Sequence, residues 1–119
     1  MLSLGDTATQ LTVCKTLALA FPAFYRKTGI SASFKFSYDV KEENLEISLG
    51  FLPHEPNEEQ YNILFEEIID AEKLLINEYV MNTAPNYETI GQLIFKHREE
   101  TNQIISRHKK ELEWKCKKS

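Results

Sequence analysis

The chain has 119 residues, of which 42% are hydrophobic and 27% charged, and its formal net charge is -4. A chain of this length makes one domain, 1–119, with a real core but close to the size at which a partner helps, and its apolar content excludes disorder. The longest apolar run, Leu17 to Phe24, falls far short of the ~20 residues of a membrane span, so no membrane association is expected.

The elements follow in chain order. Met1 to Gly5 is a short apolar lead-in without the basic region of a leader. Asp6 or Thr7 can cap a helix whose apolar face runs through Leu11, Cys14, Leu17, Ala18, Phe21, Phe24 and Tyr25. Pro22 cannot donate to the carbonyl of Ala18, so it is expected to kink the helix or end it early. Arg26 and Lys27 suit a C-terminal turn, and Gly29 suits a left-handed cap. Cys14 and Cys116 are too few and too far apart for a disulfide framework, which points to a reducing compartment and a cytoplasmic location.

Strict alternation follows. Phe34, Phe36, Tyr38 and Val40 share one face of a first strand, and Leu45, Ile47, Leu49 and Phe51 share one face of a second. Lys41 to Asn44 makes the turn. The pattern predicts an antiparallel hairpin with one buried and one wet face and two open edges. Phe51 to Pro56, stiffened by Pro53 and Pro56, leads into the helical half of the chain.

Asn57, followed by Glu58, Glu59 and Gln60, is a cap with an acidic first turn. Beyond it Tyr61, Leu64, Phe65, Ile68, Ala71, Leu75 and Tyr79 repeat at spacings of three and four to about Met81. Glu72 is the one charge inside that stripe. A break at Thr83-Ala84-Pro85-Asn86 precedes a second helix, reaching to about Cys116, whose apolar period lands on His97, Thr101 and His108. The fold class is therefore α+β: a helix, an antiparallel two-stranded hairpin, then two long antiparallel helices (α-β-β-α-α). Folding back about the break, partners sum to roughly 169. That sets Glu72 opposite His97 as a hydrogen-bonded or ionic pair and Tyr61 near His108, its phenol able to bond the imidazole. Arg98 and Arg107 are expected to face away from the stripe.

Charge is uneven. Residues 31–95 carry three basic and thirteen acidic side chains, and residues 96–119 carry eight basic and four acidic. An acidic body disfavours the whole chain as a nucleic-acid binder but leaves the tail, with Arg107, Lys110 and Trp114, open to an anionic ligand. His97, Glu100, His108 and Glu111 form two His-x-x-Glu pairs, but carboxylate-bridged metal bundles draw Glu-x-x-His pairs from several helices. They read as structural, and no metal or cofactor is expected. His54-Glu55 lies in a Pro-flanked loop where an exposed imidazole is ordinary, and neither cysteine has the surroundings of an activated thiolate. Four glycines leave little room for a phosphate cradle.

The expectation is a non-enzymatic protein-binding module of inhibitor, immunity or adaptor type, acting as a homodimer. The binding positions are Glu72, His97, Thr101, His108, Tyr61, Arg107, Lys110 and Trp114. The alternative is a binder of a small anionic ligand or nucleic acid using the basic C-terminal helix. A helix-mediated dimer is expected over one joined through the strands, because Asp39, Glu42, Glu43 and Glu46 make the sheet edges acidic.

Overall fold

The computed structural model describes residues 7–41 and 44–118. Over them the chain runs α1 (Thr7–Thr28), β1 (Ser31–Asp39), β2 (Asn44–Leu52), α2 (Glu58–Thr83) and α3 (Tyr87–Lys118). This is the α+β order that the periodicities predict. Asp6, Glu42 and Glu43 lie outside the described residues, and so do the side chains of Phe36, Tyr38, Asp39, Leu45 and Cys116.

Local chemistry sets most of the boundaries. Asn57 closes a capping box at the start of α2, its Oδ1 accepting from Gln60 N at 2.9 Å while Gln60 Oε1 accepts from Asn57 N at 3.0 Å. Asn86 caps α3 by accepting from Thr89 N at 2.8 Å, so this helix begins at Tyr87, directly after the break. Gly29, at φ +76, ends α1 in the left-handed region and donates to Tyr25 O at 2.8 Å. Ala84 ends α2 in the same region, at φ 46, without glycine's freedom there.

Pro22 does not end α1, which continues to Thr28. Ala18 and Pro22 both lie on the exposed face, so water can take the carbonyl that the missing N–H leaves free. The same face displays Leu11, Leu19 and Tyr25, whereas Val13, Cys14, Leu17, Ala20, Phe21 and Phe24 are buried. The expected apolar stripe of α1 is thus shifted by part of a turn.

β1 and β2 pair antiparallel in the register Ala32↔Phe51, Phe34↔Leu49, Phe36↔Ile47 and Tyr38↔Leu45, which keeps the apolar set on one face. Val40 leaves that set, since it sits in the turn with 78% of its surface exposed. The sheet rests on α1 and α3. One edge is partly closed: Arg107 of α3 donates through Nη2 to the carbonyl of Ile47 at 3.1 Å. This corrects the expectation that Arg107 faces solvent.

The core lies where α1, the sheet and the lower half of the helical hairpin meet. Leu17, Phe24, Ile30, Ile47, Leu64 and Ile105 are fully enclosed there. Phe51 is its hub, with ring centroids 6.3 Å from Phe24 and 6.2 Å from Tyr61, both edge-on. Both long helices pack closely on α1, and their backbones approach each other less closely. At ~1.5 Å per residue, the 32 residues of α3 form a rod that accounts for nearly all of the longest dimension, 51 Å. The shortest dimension is only 18 Å.

Candidate functional site

Three helices each contribute one polar residue to a single buried point. Glu72 of α2 and His97 of α3 lie opposite one another, as their stripes predict, with Oε2 2.6 Å from Nδ1. The carboxylate lies off the line of a well-directed N–H bond, so the contact is ionic in character. The other imidazole nitrogen, Nε2, lies 2.8 Å from Thr16 Oγ1 of α1. Thr16 donates its own proton to the carbonyl of Thr12 at 2.9 Å. Nε2 must then donate to Thr16. The arrangement is an imidazole ring held between a hydroxyl and a carboxylate.

The second oxygen of Glu72 accepts from Nε of Arg98 at 3.2 Å. Arg98 was expected to face away; its long side chain instead folds back over the pair while half of it stays in solvent. Burial alone would raise the Glu72 carboxyl, but His97 and Arg98 together hold it below its ordinary value of 4.5. The site is thus a buried carboxyl with a histidine and an arginine as partners.

Above the pair opens a cavity of about 450 Å³ between the three helices. Leu75, Ile76, Tyr79 and Leu93 form its apolar wall, Thr9, Thr12 and Lys15 face them from α1, and Glu72 and His97 form the floor. The order hydroxyl, imidazole, carboxylate matches that of a hydrolytic triad, but the proton runs the wrong way. A general base needs a free lone pair towards the nucleophile, whereas Nε2 donates, and the Thr16 hydroxyl is fully buried and committed to a helix carbonyl. The amides around Thr16 are spent within α1. The geometry locks three helices together and does not activate Thr16.

The remaining predicted positions scatter. Thr101 is buried and turns its hydroxyl back to the carbonyl of His97 at 2.8 Å. Tyr61 and His108 both pack on Phe51, His108 with its centroid 5.3 Å away, but the phenol does not bond the imidazole. His108 reaches Glu55 Oε2 at 2.8 Å instead, because the loop before α2 folds over it. The buried Tyr61 hydroxyl has no partner; burial, then Glu55 and Glu58, push it up to about 12. Lys109 lies over its ring, 4.3 Å from the centroid. Lys110 and Trp114 line an open depression with Arg107 and Glu111, Trp114 being 60% exposed.

The two His-x-x-Glu pairs do not converge. Glu100 accepts from Gln10 Nε2 at 3.4 Å, and among the described residues no three metal-ligating side chains cluster. Burial and the nearby Glu100 push the Cys14 thiol up to about 11, consistent with a core residue. Two polar contacts escape the sequence pattern: the exposed Lys27 with Glu67, and the buried Thr16 with His97. A signal existed for the second, since Thr12 and Thr16 stand one turn apart within an otherwise apolar helix. No protein-family model, curated protein or solved structure matches this chain.

Proposed function

We propose that this chain is a non-enzymatic protein-binding module that associates through the distal half of its helical hairpin and works as a homodimer. The observation that carries the reading is that no residue between Lys73 and Lys96 is buried, although eleven of them are large and apolar. Met81 is 86% exposed and Tyr87 92%, and Leu74 and Phe95 are well over half exposed. Single exposed apolar residues are ordinary on a surface, but so many on one segment support the reading of an interaction site. The neighbouring half of the same hairpin buries Tyr61, Leu64, Ile68, Ala71, Ile104 and Ile105, so the open half is local to the tip.

The alternative, an anionic ligand on the basic tail, has less support. Arg107 is spent on the Ile47 carbonyl, His108 on Glu55 and Lys109 on the Tyr61 ring. Nothing comparable occupies the tip. The non-enzymatic reading draws on the proton direction at Thr16. Light scattering at micromolar concentration tests the proposal: the chain should give the mass of two copies, and Leu74→Glu with Phe95→Glu should give one. A mass of one copy at every concentration would reject it.

A further inference from the structure

The polar groups that line the cavity between the three helices fall into two sets. Those at its floor are spent on one another: Thr16 meets His97, His97 meets Glu72, and Glu72 meets Arg98. Thr83 is spent as well, since it donates to the carbonyl of Tyr79 at 2.7 Å. The second set is Lys15 of α1 with Glu78 and Asn82 of α2. None of these three side chains has an ion-pair or hydrogen-bond partner among the described residues. Lys15 and Glu78 are opposite in sign, line the same cavity from different helices and still do not pair.

Their placement is specific. Glu78 and Asn82 stand one turn apart on α2, so their side chains are neighbours on one face. Glu78 lies ~9 Å above Glu72 along the helix, and the half-buried Leu75 and Ile76 fill the wall between them. Leu93 adds to that wall from α3. The volume of about 450 Å³ falls within the ~300–1,000 Å³ of small-molecule sites. A guest there meets an apolar wall, a cation on one side and an anion with a neighbouring amide on the other. A simple carboxylic acid would satisfy Lys15 and bring a like charge towards Glu78, and a simple amine would do the reverse. A molecule carrying both charges matches both sides.

We propose that this cavity binds a free α-amino acid with an apolar side chain. Lys15 donates to its carboxylate, Glu78 and the carbonyl of Asn82 accept from its ammonium, and Leu75, Ile76 and Leu93 cover its side chain. An ammonium has three protons to give, which suits two acceptors one turn apart. The floor, with its polar groups already satisfied, makes no demand on the apolar end of the guest. This site is separate from the protein-binding reading and does not rest on it, since its residues face one another across a single chain.

Calorimetric titration of the full chain with L-phenylalanine and L-leucine tests this, with phenethylamine and 3-phenylpropionate as analogues that each keep one charge. At least one of the two amino acids should bind saturably, one per chain, and each analogue should bind about tenfold more weakly than L-phenylalanine. Lys15→Met should weaken L-phenylalanine about tenfold and leave phenethylamine unaffected. Glu78→Gln should weaken L-phenylalanine to a similar degree and leave 3-phenylpropionate no weaker. Both side chains are exposed and have no partner to lose, so the variants should melt with the wild type, which checks that the fold is intact. No binding of either amino acid up to about 10 mM would overturn the proposal. So would an analogue that binds as tightly as L-phenylalanine, or amino-acid binding that neither substitution changes. The mass of the chain in solution bears only on the dimer, so either reading can fail without the other.

Discussion

The two halves of the helical hairpin carry similar sequences and behave differently. Tyr61, Leu64, Ile68 and Ala71 on α2, and Ile104 and Ile105 on α3, are buried in the core. From Lys73 to Lys96 the density of apolar residues is as high, and none is buried. Apolar periodicity therefore creates a surface that wants cover, and burial depends on what else reaches it. Here α1 supplies the cover along the lower half, and at the tip it presents Thr9, Thr12 and Lys15 across a cavity. The Glu72–His97 pair stands at the frontier between the two.

The largest expected contrast comes from cutting the same side chain in each half. Leu64→Ala should cost about 2–5 kcal/mol, since Leu64 is fully enclosed. Leu74→Ala, measured by denaturant melts at concentrations too low for association, should cost about 0.5 kcal/mol or less. Similar costs at both positions would mean that the tip is packed after all, and the comparison would fail.

Next comes the frontier itself. Glu72→Ala should cost about 1–3 kcal/mol, because it leaves the buried polar ring of His97 without its partner. The pH dependence sharpens this. The folded Glu72 carboxyl sits below its unfolded value of 4.5, so the unfolded chain binds the proton more readily. Its contribution is fully present above that value and lost as pH falls through the lower folded one. The stability gap between wild type and Glu72→Gln should therefore be widest near about pH 7 and close towards about pH 3. A gap that stays constant would show that the carboxylate charge is not what stabilises the site.

Smaller effects are expected further out. Arg107→Ala should cost about 0.5–1.5 kcal/mol by removing one hydrogen bond from the β2 edge, visible as faster amide exchange in β2 with the helices unchanged. Ala84→Gly should stabilise by about 0.5–1 kcal/mol, because glycine takes the left-handed conformation at the end of α2 without the Cβ penalty. A loss on that substitution would mean that the turn is not under the strain its φ of 46 implies.

Much of this architecture was legible before any coordinates. Alternation placed the strand faces, capping chemistry placed the start of α2, and folding back about Pro85 placed Glu72 opposite His97. Each depends on residues near in sequence or related by one turn, where the period of the chain carries the information. The shifted face of α1 and the inward return of Arg98 and Arg107 were not legible in that way. Long basic side chains take their direction from whatever acceptor lies within reach, and those acceptors sit 26 and 60 residues away in sequence.

The sequence by itself determined the order of elements, the register of the hairpin about its break and the polar pair within two apolar stripes. These follow from backbone periodicity and from the cost of burying a lone charge. Only the tertiary structure decided that α1 bears on both long helices, that Thr16 completes the contact at His97, and that apolar cover stops at Glu72. Which surface meets which depends on how three helices and a sheet share one volume, and no local pattern in the chain records that.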